Sequence, residues 1–244
     1  MWWMLVVACV ASSSDVGAGT SVVVGQAHVV PLPAGWVERV VGAEDDASPL
    51  PMIVMAHGLG DRPESMLSVL AEFPGPARII APRAPDAWHE GWSWFPTRVS
   101  GDEEVLAGQI AAVSDRFVKD LEGVVATRPT TGKPILTGFS QGGMLSLAVA
   151  VRHPEAIAAA VPVAGWLPEP LWPAAVPPGA PPIHALHGLD DEVLPFARTA
   201  AGVDAVRKVG WTADMQAFPG VGHRIPPQVR AALFEGLASA IAAQ

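Results

Sequence analysis

A chain of 244 residues, half of them hydrophobic, is long enough for one large α/β domain or two small ones around a substantial core. The net charge of −9, from 15 basic and 24 acidic residues with no like-charge run longer than three, argues against nucleic acid and anionic membrane surfaces as partners. A single cysteine, Cys9, excludes an internal disulfide and a cysteine-built metal site, and no apolar stretch reaches the ~20 residues that cross a bilayer.

Residues 1–10 are apolar and run into a small, polar, linker-like tract at 11–20. This resembles an export signal, and Val6-Val7-Ala8-Cys9 has the form of a bacterial lipobox. No Lys or Arg precedes the apolar segment, however, and a presumed cleavage before Cys9 leaves it very short, so an unstructured start stands beside the signal reading. We therefore set residues 1–20 apart from the domain expected over 21–244. Localisation stays open between the cytoplasm and, if Cys9 lies in a genuine lipobox, export with a lipid anchor.

The β-branched runs at 22–24 and 27–30 and the partial alternation at 35–41 predict antiparallel edge strands. The continuous apolar run 52–56 predicts a strand buried on both faces, ending in the tight loop His57-Gly-Leu-Gly-Asp61. A short helix is expected at 62–73, a buried strand at 77–81, and a long loop with three tryptophans over 82–99. Residues 102–127 have helical spacing, with Val105, Leu106, Ile110, Val113, Phe117, Leu121 and Val124 on one side.

Next comes a strand-length run at 134–137, then Gly138-Phe139-Ser140-Gln141-Gly142, then an unbroken Leu/Ala/Val run at 144–151 that suits a buried helix. This is a G-x-S-x-G motif in a strand-to-helix context. A sharp turn there strains the serine backbone, while the glycines two residues to either side remove side chains that would collide as strand and helix approach. The hydroxyl is pushed out at the strand end, where the helix offers free N–H groups and its positive dipole end to a developing oxyanion. Further strands are predicted at 158–163, 183–186 and 213–218, with helices at 196–209 and 227–243 and a proline-rich loop at 168–182. Alternating strands and helices imply a mostly parallel sheet covered on both faces, in a single domain.

A serine hydroxyl needs a base, and histidine suits the task at neutral pH. In hydrolases with this motif the order is Ser, acid, His. Of the histidines after Ser140, His153 ends the serine's own helix, and His184 and His187 lie in the strand that would carry the acid. His223 alone follows every acid candidate, in a glycine-rich loop after the last strand. The acid must stand at a strand end, which leaves Asp190, Asp191 and Glu192; spacing does not choose among them, and two of the three are expected to be solvated turn carboxylates. His184 and His187, three apart on a strand, face opposite sides, so no metal site is expected there. His57 and His89 read as structural.

His57-Gly-Leu-Gly-Asp61, Ala81-Pro-Arg-Ala-Pro85, Trp94-Phe95, Gly138 to Gly143, His187-Gly through Asp191 to Pro195, and Gly222-His223 occur in that order. Together they resemble the phospholipase/carboxylesterase family of α/β-hydrolases, which includes the acyl-protein thioesterases and small bacterial carboxylesterases. The likeness runs from about residue 51 to the C-terminus and implies the α/β-hydrolase fold. It places the nucleophile on Ser140, the acid on Asp191 and the base on His223, with an oxyanion hole of backbone N–H groups at Leu59 and Gln141.

The resemblance implies a serine hydrolase cleaving carboxylic esters or thioesters of small-molecule or acylated substrates through an acyl-enzyme, without a cofactor. A homodimer is compatible with it. Two rivals are a peptidase on the same fold, which usually needs a lid or extra domain, and a non-catalytic binding module, which the presence of all three residues disfavours. Tryptophan-rich loops at 88–95 and 165–172 depart from the family motifs. Trp88, Trp92, Trp94, Phe95 and Trp166 read either as an apolar substrate pocket or as packing that holds the loops down.

Overall fold

The computed structural model describes residues 31–96 and 101–244. The strands expected at 22–24 and 27–30 and the lipobox at Cys9 lie outside the described residues. Strands β1 (Val37–Val41), β2 (Leu50–Ala56) and β3 (Ala77–Ala81) frame helix α1 (Pro63–Val69). A small hairpin, β4 (Asp86–Trp88) and β5 (Gly91–Ser93), precedes helix α2 (Glu103–Val125). Strand β6 (Thr130–Phe139), helix α3 (Gln141–Arg152), β7 (Ala159–Val163), β8 (Ile183–Gly188), α4 (Phe196–Lys208), β9 (Ala213–Phe218) and α5 (Pro227–Ala242) follow.

Seven strands form one sheet in the order β1-β3-β2-β6-β7-β8-β9. β1 runs antiparallel along β3 at the edge, and the other neighbours are parallel. β2 reads as a continuous apolar run because both of its faces are covered. Met52, Val54 and Ala56 join the core under α2, α3 and α4, while Ile53 and Met55 join the core under α1 and α5. Alternation along the strand thus feeds two separate cores.

In α2 the Asp102 carboxylate caps the helix, accepting from Glu104 N at 2.9 Å. Its buried stripe is Leu106, Ile110, Val113, Phe117, Leu121 and Val124. Val105, expected on that stripe, is 51% exposed. It stands one residue, about 100° of helix rotation, before Leu106 and so falls off the buried side.

Two further expectations need correcting. The stretch 82–99, read as loop, contains the β4–β5 hairpin, which carries no Asn-Gly or Asp-Gly turn and whose strands are three residues each. β6 starts at Thr130 rather than 134, because Thr130 and Thr131 pair with Leu50 and Pro51 on β2. Pro134 is accommodated within that strand.

Strand order changes direction between β2 and β6: the chain leaves β2 for β3 on one side and returns to β6 on the other. In open parallel sheets such a switch point leaves a crevice at the C-terminal strand ends, where ligands bind. The loops after β2 and β6 meet there.

Candidate active site

Ser140 joins the last residue of β6 to the first of α3 with φ 58° and ψ −117°, a left-handed conformation that a non-glycine residue adopts only under constraint. The constraint is backbone packing. A Cβ on Gly138 would lie 2.4 Å from the Gly142 carbonyl oxygen, and one on Gly142 would lie 2.1 Å from that of Ala56. Any side chain at these positions would hold β2, β6 and α3 apart, so the glycines make the turn, as the motif predicts.

His223 and Asp191 arrive from the other half of the sheet. His223 Nε2 lies 2.9 Å from Ser140 Oγ, and its Nδ1 lies 2.7 Å from Asp191 Oδ2. The imidazole packs on the Phe139 ring, with centroids 4.7 Å apart. Oδ1 of Asp191 accepts from the amides of Val193 at 2.9 Å and Leu194 at 2.8 Å, so the turn after β8 itself orients the carboxylate. Asp191 is buried, and its neighbours Asp190 and Glu192 are exposed. Both Nδ1 and Oδ2 sit where a neutral imidazole carries its proton on Nδ1 and leaves Nε2 free to accept from the serine hydroxyl.

Leu59 stands on the loop after β2, beside the serine: a Cβ on its neighbour Gly58 would lie 3.4 Å from Ser140 Cβ. Gln141 opens α3, whose first amides have no partner within the helix. Neither the Leu59 nor the Gln141 N–H donates to an acceptor among the described residues. The loop after β2 is anchored from behind. Gly60 N donates to Trp92 O at 2.8 Å, and Trp92 N donates to Asp61 O at 3.1 Å.

His57 is fully buried; Nδ1–H donates to Gly58 O at 2.7 Å and Nε2 accepts from Ala84 N at 3.2 Å. Burial pushes its pKa below the ordinary histidine value, outweighing the raising effect of the Gly58 carbonyl. The unfolded state therefore takes up a proton near pH 6.5 while folded His57 still refuses one. Stability from this group is complete above that pH and falls as pH drops through 6.5 toward the folded value, by at most about 1.4 kcal/mol per pH unit. Urea midpoints measured from pH 7.5 down to 5.5 are expected to decline, and His57→Gln to flatten the decline. A parent midpoint that holds level over this range would contradict the assignment. His89 has φ 51° and meets the Trp88 ring edge-on.

The aromatic candidates divide. Trp94, Phe95 and Trp166 are at most 3% exposed and belong to the core. Trp94 donates through Nε1 to His57 O at 2.8 Å, and the Gln141 side chain accepts from Trp94 N at 3.0 Å and donates to Phe95 O at 3.0 Å. For these residues the structure favours packing over an open pocket. Trp88 and Trp92 stay half-buried, with the Arg83 guanidinium 4.1 Å over the Trp92 ring. Three contributors were missed from sequence: Phe139 under the imidazole, and the Val193 and Leu194 amides on Asp191. Phe139 had a signal, being the variable position of G-x-S-x-G; the amides had none, since a backbone donor is invisible in a sequence.

Among the described residues no group of three His, Cys, Asp or Glu side chains is placed to hold a metal ion, and no helix is long and apolar enough to cross a membrane. A probable carboxylesterase of Oryza sativa subsp. japonica is 28% identical over 220 residues, spanning 79% of this chain and 80% of that protein. Acyl-protein thioesterase 1 of Gibberella zeae is 23% identical over 203 residues, 72% of this chain and 84% of that one. The crystal structure of esterase PE8 shares the fold with a TM-score of 0.72 at 22% identity, covering 84% of this chain and 98% of its own. The family model described as Phospholipase/Carboxylesterase matches residues 37–239. With its sheet, strand order and matched span in agreement, the chain belongs to the phospholipase/carboxylesterase family of α/β-hydrolases.

Proposed function

We propose that this carboxylic ester hydrolase works through an acyl-enzyme on Ser140, with His223 as general base and Asp191 as its orienting acid. The observation that carries the reading is the chain of contacts from Ser140 Oγ to His223 at 2.9 Å and on to Asp191 at 2.7 Å. His223 takes the hydroxyl proton as Oγ attacks the ester or thioester carbonyl carbon, and Asp191 stabilises the imidazolium that forms. The Leu59 and Gln141 amides receive the tetrahedral oxyanion, each such donor contributing about 3 kcal/mol in related chemistry. His223 then protonates the leaving oxygen or sulfur, and a water, deprotonated by the same imidazole, releases the acid.

An apolar acyl group suits the rim. Among the described residues the large apolar side chains most open to solvent are Leu59, Val105, Leu189 and Val193. Three of these four stand on the loops after β2 and β8: Leu59, whose own amide is a proposed oxyanion donor, and Leu189 and Val193, two residues to either side of the proposed acid. Hydrolysis of p-nitrophenyl esters from acetate to palmitate by the full chain, beside Ser140→Ala, tests the reading. Turnover that vanishes in the variant, with an optimum above acetate, is the expected result. A folded protein that cleaves no ester or acyl thioester of the series would overturn it, as would a variant that keeps the activity.

A further inference from the structure

His187 lies in β8, four residues before Asp191, and is buried, yet the transfer described above makes no use of it. Both ring nitrogens are engaged. Nε2 lies 2.8 Å from the Leu194 carbonyl oxygen and 3.2 Å from Asp191 Oδ2. Both neighbours accept, so Nε2 carries a proton. Nδ1 lies 2.9 Å from Thr199 Oγ1, whose one proton is shared between this nitrogen and the Gly165 carbonyl oxygen, also 2.9 Å away. A second proton on the ring would satisfy every partner, but burial pushes the imidazole below the ordinary histidine range, against the pull of Leu194 O and Asp191. The resting form is the neutral Nε2–H tautomer.

The Asp191 carboxylate is thereby surrounded by four N–H groups. Oδ1 holds the Val193 and Leu194 amides; Oδ2 faces His223 Nδ1 at 2.7 Å and His187 Nε2 at 3.2 Å. We propose that His187 is a positioning residue for the His223 base: its Nε2–H, donated to the Leu194 carbonyl oxygen, stands 3.2 Å from Oδ2 of Asp191 and offsets part of the charge that this oxygen presents to His223. The proposal rests on the acyl-enzyme reading above. The titratable groups facing His187 are Asp191 from the turn after β8 and His223 from the loop after β9. Helix α4 presents the Phe196 ring and Thr199, while its Arg198 stacks on Trp166.

The consequence has a sign. With the His187 N–H removed, the whole charge of Oδ2 falls on the bond to His223, which favours the imidazolium, so the base is lost to protonation at a higher pH. The test is kcat/KM against pH for the full-length parent, His187→Gln and His187→Leu on a p-nitrophenyl ester. In His187→Leu the acidic limb is expected to move up by about half a pH unit, with kcat about tenfold lower and KM within about twofold. In His187→Gln, whose amide nitrogen takes the place of Nε2, the limb is expected to stay within about 0.2 unit of the parent. A folded Leu variant with an unmoved limb would overturn the proposal, as would a Gln variant displaced as far as Leu.

Should the Leu variant not fold, nitrogen NMR of the imidazoles in the unaltered protein decides the matter. The expected result is an Nε2–H tautomer at His187 whose signals step at the pH where His223 titrates. An Nδ1–H tautomer, or signals indifferent to that step, would sink the idea. NMR is read without turnover, so an inactive parent or an active Ser140→Ala would count against the acyl-enzyme reading alone.

Discussion

Ser140→Ala is expected to lower kcat on any ester this protein cleaves by about a millionfold, and adding His223→Ala to lower it hardly further. In the proposed mechanism the two side chains act in one event: His223 has no proton to take without the hydroxyl, and the hydroxyl stays a weak nucleophile without Nε2 at 2.9 Å. Asp191→Asn is expected to cost about ten-thousandfold. The asparagine carbonyl would take the Val193 and Leu194 amides that Oδ1 now accepts, turning its NH2 toward His223 Nδ1. That nitrogen would have to accept, which moves the ring proton to Nε2 and leaves no lone pair for the serine. Single-turnover measurements with concentrated enzyme read these losses. Effects of Ser140→Ala and His223→Ala that multiply in the double variant would contradict a concerted pair.

The second large effect concerns the backbone under the serine. Gly142→Ala is expected to destabilise the fold by more than about 4 kcal/mol, or at least about 8 °C in melting temperature. Its Cβ would sit 2.1 Å from the Ala56 carbonyl oxygen, 2.5 Å from the carbonyl carbon and 2.8 Å from His57 O. These are backbone atoms of Ala56 and His57, both fully buried, so no rotamer change relieves the overlap. Gly108→Ala and Gly123→Ala on α2 are the controls, because an added methyl meets nothing within 4 Å at either position. Both are expected to stabilise by about 0.5–1 kcal/mol through helix propensity. A Gly142→Ala protein melting within a few degrees of the parent would show that β2 and α3 can separate cheaply.

Local features of the sequence determined most of the frame. The alternation of 52–56, 77–81 and 159–163 with helical stripes is a property of neighbouring residues, and it fixes strands, helices and their order. The serine turn belongs to the same class, since Gly138 and Gly142 face each other across only four residues. His223 was reachable by elimination along the chain. Asp191, Asp190 and Glu192 were not separable by spacing, because three carboxylates in one turn differ only in the direction they point. The Val193 and Leu194 amides set that direction, and His223, 32 residues away, meets the one that is buried.

Tertiary packing decided the rest. Nothing near Trp94 and Phe95 in sequence says that Gln141, 46 or 47 residues later, ties their backbone and turns both rings into the core. The β4–β5 hairpin is built from three-residue strands and pressed against the loop after β2, so its order comes from Gly60 and Asp61 rather than from its own turn. His187, two strands over from Ser140, reads in sequence as one residue of a buried strand. Only the fold brings it to the far side of the carboxylate that His223 contacts. Sequence narrowed the proposed nucleophile and base to Ser140 and His223 and the acid to one turn, because hydrophobic period and turn chemistry act over a few residues. The structure decided which of their atoms touch, because those contacts close loops of 32 and 83 residues and depend on how two cores pack around one sheet.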